Sequence, residues 1–471
     1  MRVIGRNIFS LALSRIISGV ILFVVQARLA AYLGPDDFGK YSLVMAFYTI
    51  FFLFIDFGIS RYFIKKVNED NQTTDLYLGN FFIAQLLSGV AIFLVFLTLP
   101  SIFGYEPEIK RAMLIAAAGL FLASMSIPFA ALVQAAQRIH ILAVIYFADS
   151  LLKSAWFLLA IVWQKDITFL LWILVVVGVF DLIVYALTTK TIARPKFSAQ
   201  RGILREMILY GISFAMLVGF ETLIAKADVV IQKHFLGYDA VGLYSAAYRF
   251  LDFLTFLPAV VAISLFPHFS REKQIDSKEN QVMSERIHRF LLALGIPLGV
   301  GSTILARKII FVFFGQGFEG AVLPFQILIW STVVTLFYGV ANVIMQVKAL
   351  KRAIYILCFS TLVNVAGNIL LIPRYGIVAS AWLTVLSYIL VAIFYVVYSR
   401  RYVKFPLWRS ALWPSAASMV MGLVLWLLGS LNVFLLIGLA VMIYLGILLA
   451  AGFFKFRDLF AIHLEHSDKD S

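Results

Sequence analysis

The sequence is poor in the side chains on which most enzyme and metal sites depend. It holds one cysteine, Cys358, so no disulfide can form within the chain, and its six histidines are scattered. No glycine-rich phosphate loop, paired-histidine metal motif or nucleophile elbow is present. We therefore expect no catalytic residue, no metal and no cofactor, and the chain is predicted not to be an enzyme.

Charged residues are also scarce, at 14% of the chain, whereas 62% of its residues are hydrophobic. A soluble chain of 471 residues with this composition could not cover its own apolar surface. The apolar runs are long and continuous, unlike the short alternating strands of a membrane barrel. The sequence therefore predicts an all-α integral membrane protein.

The apolar runs indicate how many times the chain crosses the bilayer, since a helix needs about 20 apolar residues to do so. We predict fourteen transmembrane helices, as two six-helix lobes followed by a pair. The predicted spans are 9–33, 41–59, 79–99, 112–134, 140–163, 168–189, 206–233, 240–269, 287–306, 320–346, 352–373, 375–399, 410–429 and 432–454. The domains are then an N-terminal lobe at 1–200, a C-terminal lobe at 201–405, an extra helix pair at 406–455 and a tail at 456–471.

The basic residues predict the orientation of these helices, because short cytoplasmic loops are enriched in Lys and Arg. With the N-terminus inside, the cytoplasmic segments and adjoining helix ends carry 26 of the 39 Lys and Arg residues, and the external ones carry 8. Both termini and the 456–471 tail are thus predicted to be cytoplasmic, in a multi-pass protein of the cell (inner) membrane. The net charge of +14 is explained by contact with anionic lipid headgroups, and no nucleic-acid partner is expected.

One ten-residue stretch occurs twice. Residues 33–42 read LGPDDFGKYS and residues 236–245 read LGYDAVGLYS, with six of ten positions identical. Each copy lies between the first two spans of a lobe, which indicates a parallel internal repeat. Gly34 and Gly237 can end one helix in a left-handed conformation, and Asp36 and Asp239 can cap the next. We interpret the motif, which also includes Gly39 and Gly242, as an external structural hinge.

Ionisable side chains within the spans are the candidates for function, because each costs about 3 kcal/mol at the bilayer centre unless it meets a partner or water. The basic ones are Arg15, Arg28, Lys153, Lys226 and Arg249, and the acidic ones are Asp56, Asp149, Asp181, Glu221, Asp228 and Asp252. Their spacing predicts one pair between Asp149 and Lys153 and another between Arg249 and Asp252. Structural ion pairing remains an alternative to a functional role, and Asp228 and Lys226 could instead reach the membrane interface.

The segments ARLAAYLGPDDFGKYSL, DFGIS, YGIS and AKADVVIQKHFLGYDAVGLYSAAYR resemble those of polysaccharide-export flippases. These are the O-antigen and exopolysaccharide repeat-unit (Wzx-like) members of the multidrug/oligosaccharidyl-lipid/polysaccharide (MOP) superfamily. The resemblance spans nearly the whole chain. It implies that an undecaprenyl-diphosphate-linked oligosaccharide is moved from the inner to the outer leaflet by alternating access. It also implies a cationic cavity between two lobes, and a groove for the lipid tail beside the final helix pair.

By residue type, Arg15, Arg28, Lys153 and Arg249 are the expected contacts of the diphosphate and glycan, since a guanidinium matches phosphate geometry. Proton or sodium coupling through Asp149, Asp181 or Asp228 is a hypothesis prompted by their place within the spans. Glycan polymerase machinery is a candidate partner. The glycan itself cannot be read from the sequence.

Three other readings share part of this pattern. A drug/cation antiporter of the MATE type would have the same architecture, with an acidic and aromatic cavity. A membrane glycosyltransferase or polymerase would need a larger external loop than Gly34–Lys40 or Lys165–Asp166. A major-facilitator carrier would not be expected to have the final helix pair. The flippase reading is preferred, with the antiporter second.

Overall fold

A computed structural model describes residues 2–254, 257–258, 269, 278–403 and 407–453 of the chain. Side chains are described from Ile16 onward, apart from those at 71, 139, 278–279 and 407–409. About 90% of the described residues are helical, and none of them forms a strand. Eleven of their helices are long and apolar enough to cross a membrane. The predicted all-α membrane fold is confirmed.

Fourteen α-helices are described. They are α1 (Arg2–Asp56), α2 (Ile59–Glu69), α3 (Thr74–Ile102), α4 (Pro107–Ala135), α5 (Ile139–Val162), α6 (Ile167–Thr189), α7 (Arg201–Leu236), α8 (Tyr238–Leu254), α9 (Lys278–Phe314), α10 (Val322–Phe337), α11 (Gly339–Lys348), α12 (Leu350–Ser399), α13 (Leu407–Leu427) and α14 (Val433–Ala450). Short 3-10 helices at Asn71–Thr73 and Gln316–Ala321 precede α3 and α10.

Two of these helices contain a break at a glycine with positive φ. Gly34 (φ 72°) divides α1 into α1a (2–33) and α1b (35–56), and Gly376 (φ 63°) divides α12 into α12a (350–375) and α12b (377–399). Each of these two candidate spans is therefore long enough for two membrane crossings. A third element, α8, has 17 described residues and was not among the eleven. The count of fourteen crossings stays a prediction that these breaks support.

Small residues set the packing within each half of the protein. In the first half (2–189), α4 packs between α3 and α6, and Gly119 of α4 leaves room for Leu174 of α6. In the second half (201–399), α12 packs against α7 and α10. The final pair is anchored on α9, where the Tyr444 hydroxyl donates to the Ala293 carbonyl at 2.6 Å. The division into lobes at 200 and 405 stays a prediction.

The linker between the halves, residues 190–200, is fixed to the first two turns of α3. The Lys196 amide donates to the Asp75 carbonyl at 2.9 Å, and the Asn80 side chain bonds the backbone of Ser198 and Gln200, both at 2.9 Å. Gly79 allows this approach, since a Cβ there would lie 2.0 Å from the Lys196 oxygen. The linker therefore belongs structurally to the first half.

Candidate functional site

The two copies of the repeated motif contact each other, and they do so reciprocally. A Cβ at Gly39 would lie 1.9 Å from the Tyr238 carbonyl oxygen, and a Cβ at Gly242 would lie 1.9 Å from the Pro35 carbonyl oxygen. Pro35 and Tyr238 hold equivalent positions in the two copies, as do the two glycines. We call this the outer contact, because the motif lies on the side predicted to be external. The halves are therefore related here by a local two-fold arrangement that only glycine permits.

The outer contact changes the interpretation of the motif as a hinge within each half. Gly34 and Gly237 do have positive φ, at 72° and 91°, as expected at helix junctions. Asp36, however, accepts from Lys40 at 3.1 Å, and no helix-end amide is found bonded to Asp36 or Asp239 in the described part of the chain. The motif joins the two halves to each other as well as joining helices.

Polar side chains surround the outer contact. The Tyr238 hydroxyl donates to the Glu106 carboxylate of the first half at 2.5 Å, and Lys233 Nζ lies 4.0 Å from the centre of the Tyr238 ring. The bond from Tyr238 lowers the pKa of Glu106 below its ordinary value of 4.5. Lys40 bonds Asp37 at 2.7 Å, and this hydrogen bond raises the pKa of Lys40. The contact is thus reinforced by charge at neutral pH.

A second contact between the halves lies toward the opposite end of α1b. Gly58, with φ 72°, meets Gly211 of α7, where a Cβ would be 2.3 Å from the Phe57 carbonyl oxygen. One turn further on, the Tyr62 hydroxyl donates to Glu206 at 2.6 Å. We call this the inner contact. The α1 helix ends at Asp56 because Phe57 and Gly58 both adopt positive φ.

Two predicted cations of the second half share one carboxylate between these contacts. Lys226 Nζ lies 3.0 Å from Asp252, and Arg249 lies 3.7 Å from it, which confirms the pairing expected from the spacing of Arg249 and Asp252. The Arg249 guanidinium also lies 5.8 Å from the ring of Phe38 in the first half. Its Nε is buried and lacks a hydrogen-bond partner among the described residues. Arg249 therefore retains donor capacity at the boundary of the two halves.

Arg61 is a cation that the sequence analysis did not select. It follows the break at Gly58, is exposed, and lies 4.7 Å from the ring of Phe214 on α7. It interacts electrostatically with Asp56 and Glu221. Asp56 itself accepts from the Ser60 amide and hydroxyl, at 3.1 and 2.7 Å. Arg61 was missed because it falls outside the predicted span 41–59, although DFGIS immediately precedes it.

The first half brings two of its predicted acids together. Asp149 of α5 and Asp181 of α6 are near enough for their charges to interact, and Lys153 interacts with both through its charge. Two neighbouring carboxyl groups can hold one proton between them. Among the described residues Asp149 makes no ion pair within 4.0 Å, so Lys153 is a longer-range neighbour. The pair is a candidate proton site.

The second half buries Asp228 completely, so this residue does not reach the membrane interface. Its carboxylate accepts from the Val229 amide at 2.8 Å and from the Tyr244 hydroxyl, which lies 3.3 Å from Thr384. Further buried polar residues lie on α7 and α12, and several of their atoms have no hydrogen-bond partner in the described part of the chain. These atoms belong to Gln232, Asn368 and Ser380.

The remaining predicted substrate contacts are not brought to this boundary. Arg28 is exposed on α1a, on the same face as Ile17, Val20 and Val24. Arg15 lies on the same helix, but its side chain is outside the described ones. Lys153 lies with the acids of the first half. The predicted cationic site stays a prediction, and the cations that the structure does bring to the boundary have carboxylates nearby.

Comparison with known proteins decides the family. Residues 4–273 match the family described as "Polysaccharide biosynthesis protein", which is more than half of the chain. The chain belongs to this family. The expected membership among the MOP-superfamily flippases is thereby confirmed, and such proteins are transporters of lipid-linked substrates rather than enzymes.

Two relatives of this polysaccharide biosynthesis protein come from archaea. The uncharacterized membrane protein MJ1068 of Methanocaldococcus jannaschii is 22% identical over 414 residues, covering 81% of each chain. The probable flippase AglR of Haloferax volcanii is 28% identical over 166 residues, covering 34% of each.

The solved structures to which the protein is similar share its fold. The lipid II flippase MurJ in an inward closed conformation has a TM-score of 0.79 at 15% identity, over 96% of this chain and 99% of MurJ. An inward-facing MATE-family multidrug transporter has a TM-score of 0.67 at 13% identity, over 83% and 97%. A Pyrococcus furiosus transporter described as having a binding pocket of reversed polarity has a TM-score of 0.59 at 13% identity, over 84% and 95%.

Proposed function

We propose that the protein moves an undecaprenyl-diphosphate-linked oligosaccharide from the inner to the outer leaflet of the cell membrane by alternating access. The observation that carries this proposal is Arg249. Its guanidinium lies at the boundary of the halves with a buried Nε that no described residue accepts from. A buried donor left unpaired is costly, and an anionic ligand such as a diphosphate would satisfy it.

A carrier lipid of this kind needs a protein path. In hydrocarbon, its sugars and diphosphate would lose their hydrogen bonds to water with nothing to replace them, whereas its polyprenyl tail is apolar and soluble in the bilayer. Two halves that rock against each other can expose a polar site to one side and then the other. The outer and inner contacts are the surfaces that would part and close in turn. In this cycle the lobes are 1–200 and 201–405, with both termini in the cytoplasm.

The substrate would be held by cations contributed from both halves. The positions of Arg249 and Arg61 support a role in binding, because each arginine lies beside an aromatic ring of the other half. Arg249 lies beside Phe38, and Arg61 lies beside Phe214. Arg15, Arg28 and Lys153 remain proposed contacts on the ground of residue type. Because Lys226 and Arg249 share Asp252, a diphosphate would compete with that carboxylate for the same guanidinium.

Transport against a gradient would require coupling to an ion, and the buried acids are the proposed sites. The Asp149 and Asp181 pair can take up and release one proton. Asp228 is buried one helical turn before Gln232, whose buried side-chain atoms have no hydrogen-bond partner among the described residues, and this setting suits a proton or a sodium ion. Replacing each acid by Asn should abolish the dependence of transport on the ion gradient in at least one variant. Unchanged dependence in all three would end this part of the proposal.

The decisive experiment uses the full-length protein in lipid vesicles containing a fluorescent undecaprenyl-diphosphate-linked disaccharide. Movement between leaflets is followed by the fraction of label that an impermeant quencher can reach. Arg249→Gln should lower the rate at least about 10-fold, since charged hydrogen bonds are worth about 1.5–3 kcal/mol. Arg249→Lys should recover part of it, because the charge returns without the planar fork.

The matched control is Arg307→Gln, which removes an exposed arginine paired with Glu319 at 2.7 Å and distant in sequence from the boundary. It should transport at the unmodified rate. Equal rates for Arg249→Gln and the unmodified protein would overturn the assignment of Arg249. The proposed function would be overturned if vesicles containing the unmodified protein moved the lipid no faster than empty vesicles.

A cation antiporter is the second candidate, and the mixed charge at the boundary is what favours it. Asp56, Glu221 and Asp252 lie beside Arg61, Lys226 and Arg249, so the face is not purely cationic. An organic cation such as ethidium would then be exchanged for protons in the same vesicles. Ethidium exchange that is lost in Glu221→Gln, without lipid movement, would select this function over the first.

A further inference from the structure

An apolar cleft separates α1b from α7 where the two halves face each other beyond the inner contact. Its volume is about 160 Å³, and its walls include Ile50, Leu53, Phe54, Met216, Phe220 and Leu223. One lining residue is polar, Thr222, but its hydroxyl donates to the Val218 carbonyl of its own helix at 2.8 Å. The Thr222 hydroxyl is therefore satisfied by its own helix and adds no free polar group to the wall of the cleft.

One end of the cleft is closed by the backbone contact of Gly58 with Gly211. From that point it extends along α1b to Ile50, a rise of about 10 Å at 1.5 Å per residue. It lies wholly within the spans predicted for these helices. The space is therefore at hydrocarbon depth, in the part of the bilayer nearer the inner contact.

The cleft opens between two partly exposed apolar side chains. Along α1b, Phe51 packs on Phe96 of α3 with ring centres 5.1 Å apart, whereas Leu53 and Phe57 line the cleft toward α7. Phe54 lies between these two faces of the helix and is 43% exposed. On the α7 side, Met216 is 42% exposed. Two large apolar side chains thus flank a lateral mouth between the halves.

Two cations lie at the closed end of the cleft. Arg61 is 4.7 Å from the Phe214 ring, and Phe214 directly precedes the lining residue Ala215. Lys65 is 4.9 Å from the ring of Tyr210, one helical turn nearer the start of α7. Both side chains come from α2 and lie along the aromatic residues of α7. Two such charges in succession match a diphosphate better than the single phosphate of a bilayer lipid.

We propose that this cleft binds the polyprenyl chain of the carrier lipid, with the diphosphate at Arg61 and Lys65. The inference rests on the proposed function for the identity of the lipid. Burial of the first isoprene units between α1b and α7 would place substrate on the very surface that must part during transport. The cleft is thus a lateral entrance for the lipid on the α1b–α7 side of the protein.

The test is photo-crosslinking of the full-length protein in vesicles. One probe is undecaprenyl diphosphate, without glycan, carrying a diazirine in its first isoprene units. The other is phosphatidylglycerol with a diazirine in its acyl chain. We expect the polyprenyl probe to label peptides containing Phe54 and Met216, and the phospholipid probe to label them at least about 5-fold less.

Filling the cleft should remove this labelling. Ala215→Leu and, independently, Leu223→Trp are expected to lower it at least about 5-fold. Ala155→Leu, at an exposed position of α5, is the matched control and should leave it unchanged. Two filling variants are used so that loss of fold in one, seen as aggregation in size-exclusion chromatography, leaves the other to decide.

The inference is overturned if the polyprenyl probe labels other surfaces only, if both filling variants are labelled normally, or if phospholipid labels the cleft equally well. It is supported even without glycolipid movement in the transport assay, which would instead count against the proposed function. Normal movement with an unlabelled cleft would count against the cleft alone.

Discussion

The outer and inner contacts join the same two halves with glycines, yet they are built differently. The outer contact pairs the second helix of each half, α1b with α8, and its approach of a glycine to a carbonyl oxygen occurs twice, at equivalent positions. The inner contact pairs α1b and α2 with α7, the second helix of one half with the first of the other. Gly58 and Gly211 are not equivalent positions of the repeat. Among the described residues, the contact that follows the symmetry of the duplication is the outer one.

This difference has a mechanical meaning in the proposed cycle. To open the outer contact, two backbone carbonyl groups must separate from two glycines at the same time. The polar interactions of Tyr238 and Lys40 around the contact must break as well. At the inner contact one glycine pair and the Tyr62–Glu206 bond separate. The outer contact should accordingly be the more sensitive of the two to a single added side chain.

The largest effect is expected from Gly39→Val or Gly242→Val. Each adds atoms where a Cβ alone would lie 1.9 Å from a backbone oxygen, so the outer contact cannot form. Lipid movement should fall more than about 10-fold. In a Cys358→Ser, Ser42→Cys background, labelling by an impermeant maleimide from outside should rise, because Ser42 is buried just below the contact.

Gly317→Val is the control on the same side, since nothing lies within 4 Å of a Cβ at this position. It should leave both readouts unchanged. A Gly39→Val protein that transports normally, with Ser42→Cys still protected, would refute a role for the outer contact in closing the protein.

Gly211→Ala should have a smaller effect, a decrease in lipid movement of about 3- to 10-fold. Its methyl group would meet the backbone of Phe57 and Gly58, which lie at the break after α1 and can shift further than an intact helix. Labelling of Ser42→Cys from outside should not increase. Gly202→Ala, on the same helix with open space around it, is the control. An increase in outside labelling would show that the two contacts do not act separately.

Tyr238→Phe removes the hydrogen bond across the outer contact, and we expect about a 2- to 5-fold increase in Ser42→Cys labelling. Glu106→Gln replaces the charged acceptor of this bond by a neutral one and should give a smaller increase. The carboxylate of Glu106 is the form that accepts this bond, and its pKa is lowered by it. The contribution is therefore complete at neutral pH and is lost as the pH falls through the lowered value, below 4.5. Labelling should rise in that acidic range, and Glu106→Gln should remove this part of the pH dependence. A rise centred above pH 6 would contradict this assignment.

The smallest effect is expected from Asp36→Asn. Asp36 is an exposed partner of Lys40, which keeps its shorter bond to Asp37 in the variant. Exposed ion pairs contribute about 0–1 kcal/mol, so transport and labelling should change less than 2-fold. A larger change would mean that Asp36 has a role beyond this pair.

Much of the fold could be predicted because it depends on local sequence. The length of each apolar run defines a helix, and Gly34 and Gly237 adopt the positive φ that their place between two runs requires. The i,i+3 spacing of Arg249 and Asp252 was enough to predict their ion pair. The mutual contact of the two motif copies was not predictable, since it joins residues about 200 positions apart.

The candidate site was predicted less completely, for related reasons. Asp149 and Asp181 lie on different helices, so no spacing in the sequence predicted that the two acids would lie together. Lys226 approaches Asp252 of the next helix, which no spacing within one helix reveals. Arg61 was not predicted because the positive φ of Phe57 and Gly58 ends the helix before it, which leaves Arg61 outside the predicted span.

The attachment of residues 190–200 to α3 has a consequence for how far the protein can move. A free linker of eleven residues would let the two halves move independently. Here, hydrogen bonds with Asp75 and Asn80 fix the linker backbone almost to the first turn of α7. Only the backbone dihedral angles next to Arg201 then remain free to change when the halves move. The start of α7 would serve as the fulcrum, so displacement should grow with distance from it and be greatest at the far end, where Tyr238 meets Gly39.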